Sequence, residues 1–313
     1  MYLSQLKLKN FRNFQHLEIK PDKKINIFYG KNGQGKTNIA ESIYIIFNGK
    51  SFRKCKRQDL IYYTKEYSEI RAEIELEKSN LNLKLIIERD KRKLNINEKT
   101  KKTTDPRYYR RTLFLNSDLL FHCKNFLKYR IALLDKLCFL HFGENFRYEL
   151  KKYKRIMKQY MLDRRNNIWT EIFLKQRKKV NEYREMFINE IKKEINYLTE
   201  KMNIGDVSIF FNYSQKTDLS FIRKDKKDLS LGEFKSIIFS LIVASAKLKN
   251  KSENILIIDD FNSEWDNEKI CFAIEILNNI NLQSFIMSSE VINIYPHFLV
   301  EKGEVKRYEG RES

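Results

Sequence analysis

Eight consecutive residues, Gly30-Lys31-Asn32-Gly33-Gln34-Gly35-Lys36-Thr37, combine three glycines, two lysines and a threonine at fixed spacing. Glycines let a backbone turn so that several N–H groups face one anion. A helix opening directly after them adds the positive end of its dipole. A lysine so placed neutralises β and γ phosphates, and a hydroxyl beside it ligates Mg²⁺. The run fits G-x4-G-K-[ST] without a mismatch. Gly30, Lys31, Asn32, Gly33, Gln34, Gly35, Lys36 and Thr37 are therefore expected to bind ATP, with Lys36 also catalytic and Thr37 on the metal. The motif stands out because glycine is scarce, 9 residues in 313, yet Gly30, Gly33, Gly35 and Gly49 fall within 20 residues.

A second element is the apolar run Ile255-Leu256-Ile257-Ile258, closed by Asp259 and Asp260. Acids at the end of a hydrophobic strand are costly to bury without a cation. Asp259 is expected to hold Mg²⁺ through water, and Asp260 stands where an acid would polarise the attacking water. A third element is Ser230-Leu231-Gly232-Glu233-Phe234-Lys235. Ser230 and Gly232 before a helix onset make another anion-binding terminus. The same residues also read as a capping box, with Glu233 at the third helical position.

These residues need elements to carry them. Residues 1–30 read as a hairpin followed by a short buried strand, Ile25-Asn26-Ile27-Phe28-Tyr29, that feeds the glycine loop. Thr37 to Phe47 has helical spacing. Residues 68–98 alternate apolar and polar as an antiparallel meander with one wet face. From about 118 to 202 the pattern is helical, with the apolar stripe Ile172, Val180, Tyr183, Phe187, Ile191, Ile195, Leu198, Met202. After 205 come a strand at 209–211, a helix over 232–248, the strand 255–258, a helix over 267–278 and a strand at 285–287. The expected organisation is α/β: an N-terminal lobe over 1–117 with the phosphate loop, a helical insertion over 118–204, and a C-terminal lobe over 205–313.

Composition narrows the class. Lys plus Arg is 61 against 41 Asp plus Glu, a net charge of +20. Such a charge suits nucleic acid first and an anionic membrane second, although Lys- and Asn-rich codon usage produces the same bias. No uncharged apolar run approaches a membrane span, and the N-terminus lacks a signal-peptide pattern. The 4 cysteines form no C-x-x-C pair and read as reduced thiols. Secreted, disulfide-rich, fibrous and integral-membrane classes are excluded, no membrane partner is expected, and a cytoplasmic location is.

Taken in order, these motifs resemble the ABC-type ATPases of the SMC/Rad50/RecF group. Leu6-x-Leu8-x-Asn10-Phe11-Arg12-Asn13-Phe14 is similar to that group's opening, and Gly49-Lys50-Ser51-Phe52-Arg53 to the segment after its first helix. Ser230-x-Gly232-Glu233 resembles the signature motif, and Asp259-Asp260-x-x-Ser263-Glu264-Trp265-Asp266 the Walker B and D-loop. Of the arginine-rich block usual before the helical lobe, Asn125 to Asp135 keeps Arg130, Leu134 and Asp135. The segment from Asp218 to Asp228, before the signature, is short and charged.

The resemblance implies an ABC-type P-loop ATPase head, a mixed sheet plus an antiparallel meander, with an inserted helical lobe. It implies that Ser230 and Gly232 of a second copy cap the ATP, giving an ATP-dependent homodimer around DNA. Arg12 would approach the nucleotide and Asp266 the dimer seam. A weak, DNA-stimulated ATPase is implied, acting in recombinational repair and replication-fork maintenance. It would help load recombinase at gapped DNA with mediator proteins of the RecR and RecO type. The alternatives are a diverged relative that uses ATP as structural glue, and a transporter ATPase subunit. The opening motif, the helical insert and Ser288-Ser289 in place of a histidine disfavour the transporter.

DNA contact is expected from basic clusters rather than base readout: Lys50, Arg53, Lys54, Lys56 and Arg57, then Lys91, Arg92, Lys93, Lys99, Lys101 and Lys102. His122-Cys123 and Cys138-x-x-His141 could suggest zinc, but their helical, aromatic surroundings favour buried thiols.

Overall fold

A computed structural model of the chain describes residues 1–77, 79–101, 112–205, 207–212, 218–223, 228–248, 254–292 and 297–308. Lys102 lies outside them. The chain divides into two compact units, Met1–Ser117 with Asn250–Ser313, and Asp118–Lys249.

The first unit holds two six-stranded sheets. One is antiparallel, in the order β2-β1-β4-β5-β6-β7. Its strands are β1 (Tyr2–Phe11), β2 (Phe14–Ile19), β4 (Tyr67–Glu75), β5 (Asn80–Glu88), β6 (Arg92–Ile96) and β7 (Lys99–Lys101). Its alternation follows from one buried face: Ile70, Ala72 and Ile74 point inward while Arg71 and Glu73 face water.

The other sheet runs β14-β13-β3-β12-β11-β8. Its strands are β3 (Ile25–Tyr29), β8 (Thr112–Leu115), β11 (Ile255–Ile258), β12 (Gln283–Ser288), β13 (His297–Glu301) and β14 (Glu304–Tyr308). Strands β13, β3, β12, β11 and β8 are parallel, which requires cover on both faces. Accordingly β11 and β12 are buried at every position. Helix α1 (Lys36–Asn48) packs Ile39, Ala40, Ile43, Ile46 and Phe47 into a core shared with Leu6, Leu8, Ile70, Leu85 and Phe285. Because the strands are parallel, the carboxyl ends of β3, β8 and β11 lie along one sheet edge, where open α/β sheets bind ligands.

The second unit contains α2 (Ser117–Asn125), α3 (Leu127–Phe142), α4 (Glu144–Leu162) and α5 (Asn167–Lys201), then β9 (Val207–Asn212), β10 (Asp218–Arg223) and α6 (Leu231–Leu248). Asn166 caps α5, accepting from the N–H groups of Ile168 and Trp169. Val180, Phe187, Ile191, Ile195 and Leu198 line its buried side, whereas Ile172, grouped with them by spacing, is 39% exposed. One turn on, Gln176 is buried instead and donates to the Glu149 backbone and carboxylate at 3.1 and 2.6 Å. Deep in the unit Arg184 meets Asp135, Nη2 to Oδ1 at 2.7 Å, and donates to Asn181 at 2.8 Å. Asp135 thus ties α3 to α5.

Two sequence expectations change. The boundary expected at 204/205 falls at 249/250, because β9 packs on α5, β10 on α3, and α6 on both helices. The signature helix therefore belongs with the helical unit. Strands β10 and β13–β14 were not expected: β10 pairs only with β9, and β13 is held between β3 and β14.

Candidate functional site

The turn from β3 into α1 is the glycine loop. Gly35 is the N-cap of α1 at φ +117°, and a Cβ there would lie 2.7 Å from Asn13 Nδ2 and 2.8 Å from Phe14. Glycine is required by both the dihedral and the contact. The loop is braced from outside: Asn13 Nδ2 donates to the Gln34 carbonyl at 3.1 Å, and the Lys302 N–H donates to Gln34 Oε1 at 2.6 Å. Asn38 Nδ2 donates to Asn13 Oδ1 at 2.7 Å. Lys31, Asn32 and Gly33 remain exposed on the rim.

Lys36 is buried, and its ammonium folds back onto the loop, donating to the carbonyls of Gly30 and, at 3.0 Å, Lys31. Burial pulls its pKa below the usual lysine range, and the charges of Asp259 and Asp260 oppose that. Thr37 Oγ1 donates to Asp259 Oδ1 at 3.2 Å across 222 residues of sequence. Asp259 is 5% exposed, and its carboxyl is pushed up to about 6 by burial and by Asp260, with the Thr37 bond pulling the other way. Its own N–H is held by the Leu115 carbonyl at 2.9 Å, which sets β11 and β8 level at their ends. Asp260 sits at φ +55° with its side chain exposed, accepting from Ser117 Oγ at 3.2 Å.

A buried carboxylate whose nearest hydroxyl is that of Thr37 fits Mg²⁺, which takes oxygen ligands from few protein groups and completes its shell with phosphate and water. Thr37 and Asp259 would hold it, and it would neutralise charge developing on the β and γ phosphate oxygens. No larger acid or histidine cluster among the described residues competes for a metal.

Arg12 stands at the β1–β2 turn, at φ +53°. It forms a two-pronged pair with Glu41 of α1, at 2.9 and 2.8 Å. Glu41 is fully buried and also receives Arg53 at 3.3 Å and the Ser51 hydroxyl. Arg12 therefore arrives beside α1 already held by a carboxylate. Beside it opens a cleft of about 840 Å³ lined by Arg12, Asn13, Asn38, Ile61, Tyr62 and Tyr63. Tyr63 is 87% exposed and lies 5.1 Å, ring to ring, from Tyr62. Asn13, Glu41, Ser117 and the Lys302 turn were not expected at this site. Asn13 lies in a quoted motif and Glu41 in the helical run from Thr37 to Phe47, but Ser117 and Lys302 carry no signal of their own.

In the second unit the capping box forms. The Ser230 N–H donates to Glu233 Oε2 at 2.7 Å, and the Glu233 N–H donates to Ser230 Oγ at 3.2 Å. Gly232 lies in the first turn, its carbonyl accepting from Ser236. Asp266, expected at a dimer seam, is the N-cap of α7 (Asn267–Asn278). It accepts from the Lys269 N–H at 2.8 Å and from its ammonium at 2.7 Å, and these bonds hold its carboxyl below the usual range. Cys123 and Cys138 are free and buried, and burial raises Cys123 to about 12 and Cys138 well above its ordinary value.

A glycine loop between β3 and α1, with Thr37 paired to an acid at the end of the parallel neighbour strand β11, defines a P-loop ATPase head of the ABC type. More narrowly, the chain belongs to the RecF/RecN/SMC N-terminal domain family, whose model matches residues 2–291. It is similar to the DNA replication and repair protein RecF of Geotalea daltonii, 26% identical over 97% of this chain and 100% of that one. Its fold matches the recombination mediator protein RecF solved with ATP, TM-score 0.77 at 16% identity, covering 98% of each chain. It also matches the Smc head domain of Pyrococcus furiosus, TM-score 0.68 at 14% identity, covering 98% of this chain and 96% of that one.

Proposed function

We propose that this chain binds Mg²⁺-ATP at Gly30–Thr37 and Asp259, dimerises on it, and binds DNA through phosphate contacts without reading sequence. The observation that carries the reading is the Thr37–Asp259 bond beside a buried Lys36, since no structural need explains keeping both charges at one sheet edge. The second copy would supply Ser230 and Gly232 to the nucleotide, and Asp266 would border the seam. The lysines and arginines of 50–57 and 91–101 are the proposed phosphate contacts in the first unit. The family and the RecF relatives support a role in recombinational repair, helping to load recombinase at gapped DNA with RecR- and RecO-type mediators. Turnover would be slow, because the short side chain of Asp260 reaches the attacking water poorly. The nucleotide base would lie in the cleft flanked by Tyr62.

Sedimentation velocity with ATP, ADP and no nucleotide, with and without gapped DNA, tests this. A dimer only with ATP is expected, and equal association in all three conditions overturns the dimer. Lys36→Ala should fold normally and weaken ATP binding by about 100-fold or more. Unchanged affinity in the folded variant removes the nucleotide site itself.

A further inference from the structure

Helix α4 carries a surface that the nucleotide site does not use. Phe146, Tyr153, Ile156 and Tyr160 turn its apolar side toward α5, where Tyr160 stacks on Phe173 at 4.4 Å and Tyr153 does so at 5.8 Å. The opposite side reads Tyr148, Lys151, Arg155, Lys158, Leu162, at helical spacings of three and four, and every one of these is exposed. Lys152 and Lys154 flank the row. From Leu150 to Leu162 there are five basic residues and no acid.

The neighbouring helix serves as an internal control. The exposed side of α5 mixes signs, with Glu171, Lys175, Lys178, Lys179, Glu182 and Glu185, as a solvated helix does. Two other cations of the hairpin do pair with acids, Arg147 with Glu144 at 2.8 Å and Lys179 with Glu149 at 3.8 Å. Lys151, Arg155 and Lys158 have no acidic partner among the described residues. Compositional bias acts on both helices alike and does not separate them.

We propose that this outer face of α4 is a second DNA-contacting surface, laid along the phosphate backbone; the proposal rests on the reading that the chain binds DNA. The row from Tyr148 to Leu162 spans about 21 Å of rigid helix. A duplex strand presents a charge about every 3.4 Å along its axis, so about three phosphates face the about 10 Å of the row that carries Lys151, Arg155 and Lys158. A straight line of cations at one-turn spacing suits a regular, sequence-invariant line of anions. A membrane is disfavoured because the main apolar side of α4, Phe146, Tyr153, Ile156 and Tyr160, is turned toward α5.

The test uses the full chain with ATP, a fluorescent duplex bearing a single-stranded gap, and anisotropy over a range of salt. The variant Lys151→Glu/Arg155→Glu/Lys158→Glu should weaken binding at least about ten-fold and lower the log–log salt slope by about 3. The charge-matched control Lys175→Glu/Lys178→Glu/Lys192→Glu should stay within about two-fold of the parent. Both variants should keep parental ATP affinity. If charge reversal lowers helicity by circular dichroism, the glutamine variant at the same three positions carries the test. Equal losses in both triples, or parental binding and slope in the α4 triple, overturn the proposal and leave DNA binding by the chain standing. A parent that binds no DNA overturns both. Loss of binding to phosphatidylserine vesicles, with DNA binding intact, overturns it in favour of a membrane.

Discussion

Helices α1 and α6 both begin with a glycine-containing, anion-friendly turn, yet they end their chains of hydrogen bonds differently. At α1 the N-cap is Gly35, no side chain caps the terminus, and the first turn holds no acid. At α6 Ser230 and Glu233 cap each other, and Glu233 places a negative charge at the positive end. The first terminus gains most from a phosphate, while the second is satisfied by its own side chains. Two buried pairs of residues differ in a similar way. Arg184 and Asp135 in the helical unit pair with each other, whereas Lys36 and Asp259 in the other unit lie buried without pairing. The α6 terminus is closed by its own side chains, whereas the α1 terminus and the Lys36–Asp259 region leave polar groups that the proposed nucleotide would meet.

The largest effect should come from spoiling the closed terminus with bulk. Ser230→Arg should leave ATP binding by the monomer near normal and block ATP-driven dimerisation. The cost across two symmetric sites is several kcal/mol, orders of magnitude in association. An ATP-dependent dimer of this variant in sedimentation would leave Ser230 as a helix cap only, with a loss of about 1 kcal/mol in thermal stability. Next, Asp135→Ala should lower unfolding stability by about 3–5 kcal/mol, since it strands the Arg184 guanidinium. Chemical denaturation measures this, and a loss under about 1 kcal/mol would mean the pair is not the clamp described.

Asp259→Asn should behave in the opposite sense. It removes a buried carboxylate that faces Asp260, so the nucleotide-free protein should be as stable as the parent or gain about 1 kcal/mol, while the Mg²⁺-dependent part of ATP affinity disappears. A strongly destabilised variant would show that Asp259 is structural, like Asp135. The smallest effect is chemical. Exposed Cys271 should react quickly with a thiol reagent at neutral pH, and Cys123 and Cys138 should react only on unfolding, with or without chelator. Rapid labelling of either buried thiol, or chelator-dependent labelling, would contradict the packing described.

The parts legible in the sequence are those where local spacing and chemistry coincide. The glycine loop was readable because its chemistry lies in eight adjacent residues and glycine is rare elsewhere. The apolar run before Asp259 marked a buried parallel strand, and the alternation over 68–98 marked the meander. The capping box at Ser230 was legible for the same reason: donor and acceptor are three residues apart.

Packing decided the rest. That Arg12 meets Glu41 depends on how the β1–β2 turn docks on α1, 29 residues away in sequence. That Ser117 reaches Asp260, and that Lys302 braces Gln34, depends on which strands neighbour β3 and β11 in the sheet. Spacing placed Ile172 in the buried stripe, but at that end of α5 it is Phe173 and Gln176 that meet α4, a choice of face that only the packing decides. Likewise α6 reads as part of the C-terminal lobe until its apolar surface is seen packed on α3 and α5. A sequence pattern states which face must be buried; the competition among faces in three dimensions states against what.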